Sequence, residues 1–193
     1  SRTMTASIIV PTIDDPAYAK LFTGIERVLN QTGYTATLYT TSNIPVNENR
    51  VLDSINQQKT DGVIIVTCQP NDGSVLEKIE DNDLPFVIVE RELISGNYNF
   101  VGFEEKPSLY NEIYYALEKG VEDVSLVIGP QEYTTELKAI EALSEAYLSF
   151  GEKRNKPQII VTEATRESAF KSFIEHTRSK GHCPEYVFTT STL

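Results

Sequence analysis

Polar side chains follow the predicted strands of this chain, and their chemistry suits binding better than catalysis. Asp14 and Asp15 come after the first strand, residues 67–69 after the third, and Glu90 and Arg91 after the fourth. In open parallel sheets, ligands bind at the carboxyl ends of the strands. Later strand ends supply Glu104, Glu105, Gln131, Glu163 and Ser191. These groups can hydrogen-bond a ligand, but no nucleophile stands beside a general base among them.

Two of the candidate residues, Arg91 and Tyr18, each have two interpretations. The planar guanidinium of Arg91 can donate to vicinal hydroxyls or to a ligand carboxylate. Alternatively, Arg91 can form a salt bridge with Glu90, Glu92 or Glu104. Tyr18 can present its ring to a sugar, or it can be a core aromatic on the inward face of its helix. The sequence leaves both alternatives open for each residue.

The motifs of common enzymes and metal sites are absent from the sequence. No Gly-x-Gly-x-x-Gly follows the first strand, and neither a P-loop nor a Gly-x-Ser-x-Gly turn occurs. The spacing of His176 and His182 does not put them on one helical face. Cys68 and Cys183 are predicted to be separate, reduced thiols. We therefore predict no catalytic residue, no metal site and no cofactor.

Strands and helices alternate along the chain, and this alternation positions the polar groups. Each short β-branched run precedes a polar loop and then an apolar pattern with helical spacing. Strands are predicted at 7–12, 35–41, 62–67, 85–90, 99–103, 124–129, 158–162 and 186–189. The first helix opens at Asp15-Pro16 and ends at Gly33, and the others span 47–57, 73–81, 107–119, 134–150 and 166–180.

This order predicts an α/β fold, with helices on both faces of parallel sheets. Only residues 91–98 break the alternation, because two strands follow one another there without a helix between them. We therefore expect two doubly wound lobes, with residues 1–101 in the N-terminal lobe and residues 102–193 in the C-terminal lobe.

Acidic residues outnumber basic ones, and this balance excludes several partners. The chain has 17 Lys and Arg against 28 Asp and Glu, a net charge of −11. No basic cluster supplies the phosphate neutralisation that nucleic acid binding needs. The longest apolar runs, such as 63–66, are far shorter than the ~20 residues of a membrane span. No secretion signal opens the chain, so we predict a soluble, cytoplasmic protein without membrane contact.

Four short motifs occur in order along the chain. The strand 7–12 precedes Asp-Pro-Ala-Tyr at 15–18, and Asp-Gly-Val-Ile-Ile at 61–65 precedes Leu-Pro-Phe-Val-Ile-Val-Glu-Arg at 84–91. In these motifs the chain resembles the effector-binding domain of the LacI/GalR-type bacterial transcription repressors. The resemblance covers nearly the whole chain and implies the fold of type 1 periplasmic sugar-binding proteins.

The resemblance implies an allosteric sensor without catalytic activity. In this family a small molecule, usually a sugar, binds between two lobes and changes their arrangement in a homodimer. DNA is read by N-terminal helix-turn-helix headpieces, which this sequence does not contain. Effector and operator affinities are then coupled reciprocally. We predict that the ligand cleft of this chain is formed by Asp15, Tyr18, Gln69, Arg91, Glu104, Lys138 and Ser191.

Three positions depart from the family pattern. Gly-Phe-Glu-Glu at 102–105 stands where Asp-Asn is common, and Lys138 replaces an Arg that commonly binds the ligand. Ser191 and Thr192 replace Asn-Asp at the end of the last strand. These departures predict an unusual effector or a loss of binding. We also expect the chain to end before the family's last helices and strands, which leaves the second lobe incomplete.

Two other functions are compatible with parts of the sequence. The periplasmic sugar-binding component of a transporter shares the fold, and it differs in having a secretion signal and in usually being monomeric. A small α/β enzyme would use Glu90, Glu104 and Glu105, and it would place them around a metal ion. The effector-binding domain of a regulator is the principal prediction.

Overall fold

Each half of the chain contains one parallel β-sheet with helices packed against it. The computed structural model describes residues 2–80, 83–151, 156–163 and 165–190. The chain divides into two units, Ser1–Gly102 and Phe103–Leu193. The predicted α/β class with parallel sheets is confirmed. None of the described helices has the length and apolar character that crossing a membrane requires.

The first unit has a five-stranded sheet with strand order β2-β1-β3-β4-β5, and neighbouring strands are parallel. The strands are β1 (Thr5–Val10), β2 (Thr35–Thr40), β3 (Val63–Ile65), β4 (Phe86–Val89) and β5 (Asn99–Val101). The helices are α1 (Pro16–Gln31), α2 (Pro45–Gln58) and α3 (Ser74–Glu80).

Helices cover both faces of this sheet. Ile8 and Val10 of β1 share a buried cluster with Tyr18 of α1. On the opposite face, Ile9 shares a cluster with residues of α2 and α3, among them Ile55. Burial on both faces explains why β1 is apolar at consecutive positions instead of at alternate ones.

The second unit has a three-stranded parallel sheet with strand order β7-β6-β8. Its elements are α4 (Glu105–Glu118), β6 (Val124–Ile128), α5 (Thr134–Phe150), β7 (Gln158–Val161), α6 (Arg166–Lys180) and β8 (Tyr186–Thr189). Apolar residues of β6, α4 and α5 form its core. The fully buried members are Ile113, Leu117, Leu126, Ile128, Leu143 and Ala146.

Several elements differ from the prediction at their ends, and each difference has a physical reason. The strand predicted at 62–67 is shorter, because Thr67 and Cys68 turn away from the ladder and hydrogen-bond to a side chain of α2. The helices predicted to begin at Asn47 and Pro107 begin two residues earlier. Pro107 is accommodated because the first-turn amides of a helix have no intrahelical acceptor.

The carboxylate of Asp61 anchors the segment that enters β1. One oxygen accepts from the Thr3 amide at 2.9 Å and from the Thr3 hydroxyl at 3.0 Å, and the other accepts from the Met4 amide at 2.9 Å. The hydrogen bond from the Thr3 amide is the largest of the effects that hold the pKa of Asp61 below its usual value, and the Met4 amide acts in the same direction. Asp61 thus joins the start of β1 to the start of β3.

The substitution Asp61→Asn is expected to destabilise the protein at neutral pH and to have progressively less effect in acid. Because the folded pKa is lowered, the ionised carboxylate stabilises the fold above the unfolded pKa of about 4. This contribution is lost as the pH falls through the folded pKa. Urea midpoints of wild type and Asp61→Asn, measured over a pH series, should therefore converge in acid. Asp53→Asn, an exposed position on α2, is the matched control. A difference that stays constant with pH would contradict the expectation.

Candidate functional site

The strand order of the first unit places a topological switch point at the carboxyl edge of its sheet. β1 lies between β2 and β3. The chain leaves β1 for α1 on one face and leaves β3 for α3 on the other, since these helices pack in different core clusters. Ligands of open α/β sheets bind where successive connections diverge in this way. Residues 11–15 and 66–69 follow β1 and β3 at this switch point.

A buried carboxylate holds the loop that follows β3. Glu48, in the first turn of α2, has no exposed surface. Its oxygens accept from the Thr67 hydroxyl at 2.6 Å and from the Cys68 amide at 2.6 Å. The Thr67 hydroxyl oxygen in turn accepts from the Gln69 amide at 3.1 Å. Such bonds offset the cost of burying a charge, and they tie the loop to α2.

The guanidinium of Arg91 reaches the same loop from the end of β4. The Arg91 side chain is 2% exposed. Its Nη1 donates to the Thr67 carbonyl oxygen at 2.9 Å. Thr67 is therefore attached to Glu48 through its side chain and to Arg91 through its main chain. This bond to a main-chain carbonyl was not among the alternatives that the sequence suggested.

The main chain at Glu90 takes an uncommon conformation directly before Arg91. Glu90 has φ of 66°, and the Arg91 amide donates to the Val89 carbonyl at 2.7 Å. These features define a γ-turn with positive φ at its centre, which is rare and strained. Strain of about 1–3 kcal/mol of this kind clusters at binding sites. The turn precedes Arg91 directly and so contributes to the placement of its side chain.

Tyr18 belongs to the core, with its hydroxyl close to the charged end of β4. Its side chain is 5% exposed and packs with Ile8 and Val10. Burial raises the pKa of the Tyr18 hydroxyl, the nearby Arg91 charge opposes this shift, and the Glu90 charge adds to it. The ring of Tyr18 is therefore a core aromatic, which is one of the two interpretations that the sequence left open. The hydroxyl lies among the groups of the carboxyl edge.

Cys68 is unsuited to nucleophilic chemistry in this position. Its thiol is buried and reduced. Burial, together with the negative charge of Glu48, raises the pKa of the thiol to about 12. Because the thiolate is the nucleophilic form, the protonated thiol is inert at neutral pH. Cys183 is a free, exposed thiol.

The side chains of Asp15 and Gln69 form hydrogen bonds with other groups of the protein. The Asp15 carboxylate accepts from the Ala17 amide at 2.8 Å and caps α1. The Gln69 side-chain amide donates to the Pro45 carbonyl at 3.1 Å and to Asn49 Oδ1 at 3.0 Å, both in α2. Both residues lie at the carboxyl edge that the sequence predicted. Their role as ligand contacts stays a prediction.

The remaining predicted site residues belong to the second unit. Glu104 is exposed at the N-cap of α4, and Lys138 is half-buried on α5. Ser191 lies outside the described residues. The convergence of all seven predicted residues on one site stays a prediction, because the set is drawn from both units.

The central strand of the second unit ends in a contact similar to that of Glu48. Glu136, in the first turn of α5, has no exposed surface. Its carboxylate accepts from the Gly129 amide, directly after β6, at 3.0 Å. In each unit, a backbone amide at a strand end therefore donates to a buried glutamate.

A polar cleft of about 650 Å³ lies at the carboxyl ends of β6 and β7. It is lined by the loops after these strands and by one face of α6. The lining residues are Pro130, Gln131, Glu132, Val161, Thr162, Glu163, Ser168, Lys171, Ser172 and Glu175. Gln131 and Glu163 were expected at strand ends, whereas Lys171 was not among the predicted polar groups. The spacing of 168, 171, 172 and 175 puts these residues on one helical face, which is the signal that was available.

The histidines contact neighbouring polar side chains within the second unit. His176 hydrogen-bonds to Gln158, and His182 Nε2 lies 2.8 Å from Asp123 Oδ2. Over the described ranges, no group of three or more His, Cys, Asp or Glu side chains is arranged to hold a metal ion.

The whole length of the fold matches one family. The model of the periplasmic binding proteins and sugar-binding domain of the LacI family covers residues 3–191. The chain therefore belongs to this family, and the predicted resemblance is confirmed. It is 24% identical over 169 residues to the HTH-type transcriptional regulator DegA of Bacillus subtilis. It is 23% identical over 189 residues to the HTH-type transcriptional regulator PtxS of Pseudomonas putida.

These matches cover 86% and 97% of this chain but 50% and 54% of DegA and PtxS. The chain thus spans about half the length of these relatives. Among solved structures, the Cra regulator of Pseudomonas putida in complex with fructose 1-phosphate matches 98% of this chain and 70% of its own, with a TM-score of 0.90 and 18% identity. A CelR–cellobiose complex matches 97% of this chain and 59% of its own, with a TM-score of 0.82 and 19% identity.

The substitution Glu48→Gln is expected to destabilise the protein by about 1–3 kcal/mol. The Thr67 hydroxyl and the Cys68 amide donate to different oxygens of Glu48. Glutamine replaces one of these oxygens with an NH2 group, which cannot accept, so one buried donor is left unsatisfied. Equilibrium urea unfolding of both proteins measures the difference. Glu77→Gln, an exposed first-turn acid on α3, is the matched control and should leave the midpoint unchanged. Equal midpoints for wild type and Glu48→Gln would mean that the hydrogen bonds of Glu48 do not hold the loop.

Proposed function

We propose that this chain is the ligand-sensing part of a LacI-family transcriptional regulator. It binds a small molecule, a sugar or sugar derivative, at the carboxyl edges of its parallel sheets. Binding controls, through a dimer, the DNA affinity of helix-turn-helix headpieces. The mechanism is a population shift, in which effector and operator favour different arrangements of the dimer.

One observation carries the proposal: a buried arginine lies at the carboxyl edge of the first sheet, where the strand order predicts a ligand. Arg91 is fixed to the Thr67 carbonyl at 2.9 Å and follows a strained turn at Glu90. A pre-positioned guanidinium loses little side-chain entropy when it binds, and its planar fork of donors suits paired hydroxyls.

Relatives favour a regulator over a transport component. The family includes periplasmic binding proteins, so family membership alone is compatible with both functions. DegA and PtxS, which match most of this chain, are both transcriptional regulators. A regulator acts where the DNA is, which places the proposed function in the cytoplasm.

The polar groups at the carboxyl edges also suit a binding protein without catalytic activity. Cys68 is buried with a raised pKa, and the carboxylates of Glu48 and Glu136 accept hydrogen bonds from the protein itself. These groups serve the fold, and none of them is placed as a nucleophile or general base.

A thermal-shift screen of the 193-residue chain against fructose, glucose, ribose, cellobiose and their phosphates tests the proposal. A ligand present at about 100 times its Kd should add roughly 2.7 kcal/mol of stability. Arg91→Lys keeps the charge but loses the fork, so it should weaken binding by about tenfold or more. Calorimetric titration measures the affinities.

Arg27→Lys, on the exposed side of α1, is the matched control and should bind like wild type. Equal affinity in Arg91→Lys and wild type would remove Arg91 from the site. A folded chain that binds no member of the set would contradict the proposed sugar effector.

A further inference from the structure

We infer that the polar cleft of the second unit binds a ligand that carries an ammonium group beside hydroxyls, as an amino sugar does. This inference rests on the proposed function and specifies the ligand chemistry of one site. It concerns the cleft at the carboxyl ends of β6 and β7 by itself. The cleft volume of about 650 Å³ is within the usual range of small-molecule sites.

Thr162, which lines this cleft, points toward α6. Its amide donates to the Ile128 carbonyl at 2.9 Å and so continues the pairing of β7 with β6. Ile128 lies opposite Val161 in the register and belongs to the core that α4 and α5 form. Because side chains alternate along a strand, the side chain of Thr162 lies on the other face of the sheet, where α6 contacts β6 and β7.

The hydroxyl of Thr162 is buried and unpaired. Thr162 is 8% exposed, and among the described residues its Oγ1 has no hydrogen-bond partner. The hydroxyl of Ser168, which also lines the cleft, donates instead to the Glu163 carbonyl at 2.8 Å. Buried polar groups are ordinarily paired, because an unpaired one loses its hydrogen bonds to water without replacement. A polar group of a bound ligand supplies the partner that the Thr162 hydroxyl lacks.

Three separate elements bring carboxylates to the same cleft. Glu132 follows β6, Glu163 follows β7, and Glu175 lies on α6, whereas Lys171 is the one cation among the lining residues. Within the described ranges, no group forms an ion pair or hydrogen bond with these four side chains. Their charges are therefore available to a ligand, and the excess of carboxylates favours a cationic one.

These carboxylates suit an organic ammonium group better than a metal ion. In the part of the chain that the structure describes, no three His, Cys, Asp or Glu side chains are arranged to share a metal ion. An ammonium group needs only one or two acceptors, and its hydrogen bonds to carboxylates are stronger than those between neutral groups. Hydroxyls of the same ligand can pair with Thr162 and with Ser172, which is on the cleft-lining face of α6.

Calorimetric titrations of the full chain with matched sugars test the inference: glucosamine against glucose, and galactosamine against galactose. The members of each pair differ in one group, an ammonium in place of a hydroxyl, at a slightly acidic pH that keeps the amines protonated. We expect each amino sugar to bind at least about tenfold more tightly than its parent sugar. In the double variant Glu163→Gln/Glu175→Gln, this ratio should fall toward one. Glu112→Gln/Glu118→Gln, exposed on α4, is the matched control and should leave the ratio unchanged.

The substitution Thr162→Val separates a ligand contact from a structural role. Valine has nearly the same shape and removes the unpaired hydroxyl, so the urea midpoint should stay equal or rise. The affinity for glucosamine should nevertheless fall by about fivefold, which is the effect of one hydrogen bond. Thr189→Val, at an exposed position of β8, is the control and should bind like wild type.

The failures of the two proposals can be told apart. Parent sugars that bind as tightly as their amino sugars, or more tightly, overturn the inference and leave the proposed function supported. Unchanged affinity for glucosamine in Thr162→Val or in Glu163→Gln/Glu175→Gln also overturns it, because the ligand then binds elsewhere on the chain. If no sugar, sugar phosphate or amino sugar binds the folded chain, the proposed function fails, and the inference fails with it.

Discussion

Thr67 is held from two directions, and the candidate site depends on this double attachment. Its hydroxyl donates to the buried carboxylate of Glu48, and its carbonyl accepts from the buried guanidinium of Arg91. Charged groups are stable in a protein interior only with such partners. The start of α2, the end of β3 and the end of β4 therefore form one polar edge. Arg91 is connected to α2 by two successive hydrogen bonds, one to Thr67 and one from Thr67 to Glu48. A ligand that binds at this edge is therefore physically connected to the rest of the unit.

Most of the fold follows from local patterns, because burial on both faces of a strand and on one face of a helix leaves a regular apolar spacing. The bounds of α5, α6 and β8 match the prediction for this reason. The end of β3 does not match the prediction, because the strand ends at Ile65. Thr67 is β-branched and suits a strand, but its hydroxyl binds Glu48, which is 19 residues away in the sequence. A local pattern contains no information about such a partner.

Three of the predicted site residues lie at strand ends or loops where the sequence placed them, and their role as ligand contacts stays a prediction. Topology places the strand ends at one edge, so Asp15, Gln69 and Arg91 could be located before the structure was known. The direction of a side chain depends on the nearest unsatisfied donor or acceptor. Asp15 therefore caps α1, and Gln69 turns toward α2. Lys171 was missed because a charged face on a surface helix is indistinguishable in sequence from an ordinary solvated face.

The central claim, that a ligand binds at the carboxyl edge beside Thr67 and Arg91, is tested most directly by NMR. Assigned amide resonances of the chain would be followed during titration with an equimolar mixture of fructose, glucose, ribose and cellobiose. We predict saturable shifts at Thr67, Cys68 and Arg91, with the amides of the opposite edge unchanged. Shifts confined to the cavity beside Ala6 and Asn99, at the amino ends of β1 and β5, would contradict the claim.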